Sequence, residues 1–189
     1  MSLQANAIID VATAQAMIKL LGTADVSIIE KWINLASDHI EKYCCTKFIN
    51  QSITEVANGS GSVFIIPRFA PVRTITEITY YYNSLSPQIQ TITDFVVDVE
   101  AGIIQALRSI FPEGFQNVQI KYTTGHGATM ADLSGDVVGA CILLVEKYYK
   151  VNTADFTTTF GEADAVHTAP DVSRKSITDL LAPYKRTVL

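Results

Sequence analysis

The most informative part of the sequence for the fold consists of two segments. The first is Val118-Gln119-Ile120-Lys121-Tyr122-Thr123-Thr124-Gly125-His126-Gly127, and the second is the apolar segment Val137–Tyr149. In the first part Val118, Ile120 and Tyr122 alternate with polar residues, a pattern typical of a strand with one buried face. The second part carries apolar residues at three- and four-residue spacing, which predicts a helix. A strand that ends in a glycine loop and leads into a helix indicates a mixed fold.

Several other segments with a period of two precede this strand and predict further strands. They are Ser52–Val56, Val63–Ile66, Val72–Tyr82 and Phe95–Val99. The first two are separated by Asn58-Gly59-Ser60-Gly61, which predicts a hairpin turn, and residues 83–90 are predicted to form another turn. We expect a compact antiparallel β region of about five or six strands.

Helical patterns flank the β region on both sides. Ala14–Leu21 predicts a short helix, and Ser27-x-x-Glu30 is a capping box that opens a longer helix to about Tyr43. The longer helix is expected to bury an apolar stripe that includes Ile28, Trp32, Leu35 and Ile40, and to expose Lys31, Asn34, Asp38, Glu41 and Lys42. The predicted fold class is α+β, a small α-helical bundle with an inserted antiparallel β region. The helical core is expected at about 11–47 and 134–151, and the insertion at about 48–124.

The last part of the chain changes character twice. Residues 152–170 contain many threonines and alanines with little to bury, which predicts a flexible arm. Residues 171–189 contain four basic and two acidic residues in a chain of net charge −5, and Ser176–Leu181 predicts a short helix that Pro183 ends. A basic segment on an acidic body suits a contact between subunits, and an ordinary solvated terminus is the alternative interpretation. The candidate interface residues are Arg174, Lys175, Ile177, Leu180, Leu181, Lys185 and Arg186.

Composition narrows the function classes. With 48% hydrophobic and 17% charged residues, the 189-residue chain can bury the core of one domain. Its net negative charge disfavours a regulatory nucleic-acid-binding module, and its longest apolar run is far too short for a membrane span. Cys44, Cys45 and Cys141 lack the spacing of a zinc site, so we expect free thiols, no metal and no cofactor.

No completed catalytic motif is present in the sequence. Gly59-Ser60-Gly61 and Gly125-His126-Gly127 are not extended to a dinucleotide-binding fingerprint, and neither a P-loop nor a G-x-S-x-G elbow occurs. We therefore predict no catalytic residue and no enzyme. The alternative is a small hydrolase-like enzyme with a site near His126, the one imidazole in a glycine-flanked loop after a strand.

The order of the motifs along the chain resembles the head–tail connector, DNA-packaging-associated family of tailed bacteriophages. The resemblance is carried by Ile40–Phe48, Arg68–Val72, Ile78–Tyr82, Asp94–Asp98 with Gly102–Ile104, and Val118–Gly127. In this family the last segment usually reads Val-x-Val-x-Tyr-x-x-Gly-Tyr-Gly. Here His126 replaces the aromatic residue, and the proline that often precedes the next helix is absent.

The resemblance implies a non-enzymatic phage or prophage virion assembly protein, a ring-forming head–tail connector subunit that completes the head after DNA packaging. It further implies self-association into a ring and contacts with portal and tail-side proteins, without sequence-specific nucleic-acid or membrane binding. The protein would be made in the bacterial host cytoplasm and would end in the virion.

Overall fold

A computed structural model describes residues 2–18, 25–82, 86–90, 92–153 and 172–186. The chain divides into two compact units. The helical unit comprises Met1–Cys44 and Leu133–Lys185, and the β unit comprises Cys45–Asp132 and Arg186–Leu189. Helices and antiparallel strands are both present, so the predicted α+β class is confirmed.

The described residues of the helical unit form four α-helices: α1 (Val11–Met17), α2 (Val26–Cys44), α3 (Gly135–Thr153) and α4 (Val172–Leu181), the last followed by the short 3-10 helix Ala182–Tyr184. The Asp10 carboxylate caps α1 by accepting a hydrogen bond from the Thr13 N–H at 2.7 Å. Helix α4 begins four residues before the predicted start. Of the predicted arm, residues 152 and 153 belong to α3, and the rest lies outside the described residues. Within the described part of the chain, no helix is both long and apolar enough to cross a membrane.

Helices α2 and α3 pack on each other, as their apolar spacing predicts. The Trp32 ring meets Tyr149 edge-on, with ring centroids 5.5 Å apart. The Tyr148 hydroxyl lies 3.3 Å from His39 Nδ1. Ile33 and other apolar residues of both helices are fully buried in this unit, and each such side chain contributes about 1.5–3 kcal/mol.

The expected exposure of Asn34 and Glu41 on α2 is wrong, because both side chains are buried. The N-terminal segment lies along this side of the helix and needs polar partners for its own groups. Asn34 Oδ1 accepts from the Gln4 N–H at 3.0 Å, and Asn34 Nδ2 donates to the Ser2 carbonyl. Asn6 Nδ2 donates to Glu41 at 3.2 Å. Polar residues of α2 therefore hold an irregular segment that has no sheet or helix to satisfy it.

In the β unit, the part of the chain that the structure describes forms two antiparallel sheets. Their strands are β1 (Gln51–Gly59), β2 (Phe64–Ile65), β3 (Val72–Tyr82), β4 (Ser86–Gln90), β5 (Phe95–Asp98), β6 (Ile103–Ala106) and β7 (Gly114–Thr124). The four-stranded sheet has the order β1-β7-β3-β4, and the three-stranded sheet has the order β2-β6-β5. Strands β7 and β3, of 11 residues each, are the two inner strands of the larger sheet.

The predicted hairpin between residues 52 and 66 is wrong. Strand β1 pairs with β7, from Gln51 opposite Thr124, whereas β2 pairs with β6. Residues 86–90, predicted as part of a turn, form β4 and pair with β3. An Asn-Gly sequence allows a turn, but the pairing partner is the strand that completes the buried face.

The core of the β unit lies between its two sheets. Ile78, Ile120 and Tyr122 of the larger sheet belong to the same buried cluster as Ile104 and Ala106 of the smaller one. Phe111, from the segment between β6 and β7, enters this cluster. Its ring centroid lies 6.0 Å from Tyr80 and 6.1 Å from Phe95. The two sheets thus form a small sandwich with alternating inward residues.

Candidate assembly surfaces

The glycine loop after β7, residues 125–127, is fastened by several polar contacts. The N–H groups of His126 and Gly127 donate to the Phe48 carbonyl at 2.9 and 3.1 Å. Arg73 donates from Nε to the Gly125 carbonyl at 2.9 Å and from Nη2 to the His126 carbonyl at 3.0 Å. Gly125 has φ +143°, and a Cβ there would lie 2.6 Å from the Asn50 Cα. The loop requires glycine and has little freedom to move.

The His126 ring is stacked on Phe48, with centroids 5.3 Å apart and planes inclined by 26°. Burial lowers the pKa of His126 below its usual 6.5, and the Arg73 charge lowers it further, while Glu100 acts in the opposite direction. The imidazole therefore favours its neutral form. Its position on an aromatic ring, in a fastened loop, indicates that it closes the β unit at the end of β7.

Side chains able to hold a metal do not come together in the part of the chain that the structure describes. Cys44 and Cys141 are buried free thiols, and Cys45 is half-buried. Burial raises the pKa of Cys141 to about 12, so this thiol stays protonated. These cysteines act as small apolar core residues.

The C-terminal segment contributes both core and surface. Ile177 and Leu181 of α4 are buried within the helical unit, where the Cys44 thiol lies 4.0 Å from the Leu181 carbonyl. Leu180 is half-buried. The Tyr184 hydroxyl donates to Ser134 Oγ at 2.5 Å. Ile177 and Leu181 are thus occupied inside the subunit.

The basic residues of this segment differ in their surroundings. Lys185 is exposed, and its Nζ lies 5.2 Å from the centre of the Tyr43 ring. In the β unit, the Arg186 guanidinium donates to the Arg68 and Ala101 carbonyls at 3.4 and 3.5 Å. The side chains of Arg174 and Lys175 lie outside the described residues. The interface role of the C-terminal segment stays a prediction. It depends on the basic residues of the segment, because Ile177 and Leu181 are buried within the subunit.

At the start of β7 the backbone forms a bulge held by two asparagine side chains. Asn117 Oδ1 accepts from the Gly59 N–H, and Asn117 Nδ2 donates to the Pro112 carbonyl, both at 2.7 Å. Asn58 Oδ1 accepts from the Gln116 N–H, also at 2.7 Å. The pairing of β1 with β7 is irregular here, between Ala57 and Gly59. We call residues 114–117, with these contacts, the β7 tip.

The β7 tip carries an exposed aromatic side chain that the sequence pattern did not indicate. Phe115 is 81% exposed, more than the other large apolar side chains of the described residues. The next residue, Gln116, has φ +47°, which is unfavourable for a residue with a side chain. Phe115 is flanked by Gly114 and by Gln116-Asn117, and an aromatic residue in such a turn sequence was the available signal.

Helix α2 carries the second notable surface. Ile28 and Leu35, predicted to be buried, are 44% and 49% exposed. The reason is that the helix buries its opposite side against the N-terminal segment and the other helices. A groove of about 390 Å³ is lined by Leu35, Asp38, His39, Lys42 and Tyr43. We call this the α2 groove.

The outer face of the three-stranded sheet is also apolar. Phe64 and Val96 lie on either side of Gln105 in one cross-strand row. Both are about half exposed, as are Ile66 and Leu107. Apolar surface of this kind is typical of proteins that assemble with others.

Comparison with known proteins agrees with this description. The sequence model of the family described as "Head completion protein" matches residues 7–187. A chain from the neck of an empty GTA particle computed with C6 symmetry has 18% identity and a TM-score of 0.73. The alignment covers 100% of this chain and 94% of that chain. No curated protein matches the sequence significantly.

Two further solved structures have the same fold. A chain from the neck of a native GTA particle computed with C12 symmetry has 16% identity and a TM-score of 0.70, and one from the virion of a native gene transfer agent particle has 18% and 0.72. Each alignment covers 100% of this chain and 94% of the other. The family match confirms the predicted structural role in virion assembly, at the head–tail connector. The chain belongs to the head completion protein family.

Proposed function

We propose that this protein is a ring-forming adaptor subunit that self-associates and joins the portal side of a phage or prophage head to tail-side proteins. It would be made in the host cytoplasm and carried in the virion. The observation that carries this proposal is the family match over residues 7–187. The full-length similarity of fold to chains from particle necks computed with C6 and C12 symmetry supports the ring.

The proposed ring needs a heterologous contact, in which two different surfaces of the same chain meet and the rotation closes. The charge distribution suits such a contact, because residues 171–189 are net basic and the rest of the chain is net acidic. We place Arg174, Lys175, Lys185 and Arg186 at or near a contact with a neighbouring subunit or with the portal. Ile177 and Leu181 would support the segment from within the subunit, since both are buried there.

A gene deletion tests the proposed role. In a phage or prophage that encodes this chain, removing its gene should leave heads that package DNA but carry no tails. Expressing the chain from a plasmid should restore tailed particles, and electron microscopy would count them. Normal numbers of tailed particles without the gene would contradict the proposal.

Charge reversal tests the interface. The double variant Arg174→Glu with Lys185→Glu should fold normally and assemble poorly. The matched control, Lys31→Glu with Lys147→Glu, makes the same change in net charge at two exposed helix positions of the same unit. Equal yields of tailed particles from the two variants would remove the C-terminal segment from the interface without touching the adaptor role.

A further inference from the structure

The β7 tip holds an aromatic side chain ready for a partner. Two asparagine side chains and the Phe111 ring in the core fix the backbone on both sides of Phe115. A side chain presented by a fixed backbone loses little conformational freedom when it is buried. Large aromatic residues are also the side chains that most often anchor protein interfaces. The tip therefore has the properties of an anchor.

The strained backbone supports the same interpretation. Gln116 keeps φ +47° although glycine would relieve it. Gly59 and Gly114, in contrast, have no space for a side chain. A Cβ at Gly59 would lie 1.7 Å from the Pro112 carbonyl oxygen, and one at Gly114 would lie 2.7 Å from Asn117 Nδ2. Strain that the surroundings maintain is characteristic of functional positions. The feature that this arrangement exposes is the Phe115 ring.

The α2 groove is large enough to receive an aromatic side chain, and apolar and aromatic residues form part of its lining. Its volume of about 390 Å³ lies in the range of pockets that bind a compact organic group. Leu35 and Tyr43 supply apolar and aromatic walls, and the Tyr148 hydroxyl orients the His39 ring. Leu35 is 49% exposed, so covering it removes apolar surface from water.

Each of the two surfaces carries charges of both signs. Glu113, two residues before Phe115, is exposed, and so is Lys42 in the groove. Asp38 also lines the groove, and Arg108 is an exposed basic residue in the segment that leads to the tip. When the Phe115 side chain of the tip enters the groove, opposite charges of the two surfaces can thus come together at the rim of the groove.

We propose that Phe115 of one subunit inserts into the α2 groove of the next subunit of the ring. The occupant is a second copy of this chain because the anchor and the receptor are different surfaces of one sequence. Such a pair repeats from copy to copy and can close by rotation. This inference rests on the proposed ring and names the contact that forms it.

Photo-cross-linking tests the contact directly. Phe115→p-benzoylphenylalanine keeps an aromatic ring at the tip and reacts with nearby C–H groups on illumination. Mixing this subunit with isotope-labelled wild-type chains identifies cross-links between copies by mass spectrometry. The matched control is Ile89→p-benzoylphenylalanine, because Ile89 is 71% exposed on β4 of the same unit. We expect cross-links from position 115 to residues 35–43 of the labelled chain, and none to these residues from position 89.

The other outcomes separate the contact from the ring. Cross-links from position 115 to a different surface of the second copy would overturn this inference and leave the ring intact. Absence of association at every concentration tested would overturn both. As a second measurement, Phe115→Ala should weaken self-association about 30-fold, the loss typical of an aromatic anchor. Ile89→Ala should change it less than about twofold.

Discussion

The backbone is fixed by hydrogen bonds at both ends of β7, but the aromatic ring is packed at one end and exposed at the other. At the end of the strand, residues 125–127 are fastened by hydrogen bonds, and the half-buried His126 ring is stacked on Phe48. At its start, the β7 tip is fastened by Asn58 and Asn117, and the Phe115 ring is turned to solvent. Both ends contain glycines at which an added Cβ would clash with neighbouring atoms.

The rings of His126 and Phe115 therefore have different roles. A fixed backbone with a ring packed on Phe48 stabilises the β unit, whereas a fixed backbone with an exposed ring lowers the cost of binding a partner. Changes at the end of the strand should therefore alter stability, and changes to the Phe115 side chain should alter association. We expect the changes at the end of the strand to have the larger effect on the free energy of unfolding.

Gly125→Ala should have the largest effect. The new Cβ would lie 2.6 Å from the Asn50 Cα, and φ +143° is closed to alanine, so both the loop and its pairing must shift. We expect the free energy of unfolding to fall by about 3 kcal/mol or more, measured by urea denaturation. The control is Gly139→Ala in α3, where a Cβ meets nothing within 4 Å and should stabilise the helix by about 0.5–1 kcal/mol. A small loss at Gly125 would mean that the loop is not rigid.

Asn117→Ala should have the next largest effect. It removes the acceptor of the Gly59 N–H and the donor to the Pro112 carbonyl. Leaving these groups without a partner should lower the free energy of unfolding by about 1–3 kcal/mol, again measured in urea. Association should also weaken, because Phe115 loses its fixed position. Full stability in this variant would show that the tip is held by its backbone alone.

The half-buried His126 imidazole predicts a dependence of stability on pH. Because burial and Arg73 lower the pKa of His126 in the folded protein, the unfolded chain binds this proton more tightly. Stability from this residue is fully present above pH 6.5, and it falls as the pH drops through and below 6.5. His126→Phe keeps a ring on Phe48 without a titrating group. Thermal unfolding between about pH 5 and 8 should be flatter for this variant than for wild type; equal slopes would contradict the assignment.

Phe115→Ala should have the smallest effect on stability. A side chain that is 81% exposed contributes little to the folded state of one subunit, so the free energy of unfolding should change by less than about 0.5 kcal/mol. The measurement is urea denaturation at a protein concentration low enough to keep the chain dissociated. A loss comparable to that of Asn117→Ala would place the ring in the subunit's own core.

The sequence predicted the elements whose signal is local. Helices α2 and α3 were found because their apolar residues repeat every three or four positions over many turns. The strand at residues 118–123 was found because its alternation is regular. The resemblance added the class of protein, which no single residue reveals.

Features that depend on distant partners were missed. Asn34 and Glu41 were expected on the surface because polar residues usually lie there, yet the N-terminal segment covers them. Strand β1 pairs with β7, about 60 residues away, and the Asn-Gly sequence beside it misled the prediction of a hairpin. Phe115 was missed because an apolar residue at the start of a strand is normally an inward one.

The most direct test of the central claim, that this chain is a ring-forming adaptor subunit, is native mass spectrometry over a wide range of protein concentration. We predict that oligomers grow by single subunits and end in one closed species of fixed stoichiometry. Phe115→Ala should shift this species to higher concentration. A wild-type protein that stays monomeric throughout, or that grows without limit, would show that the chain is not a ring-forming subunit.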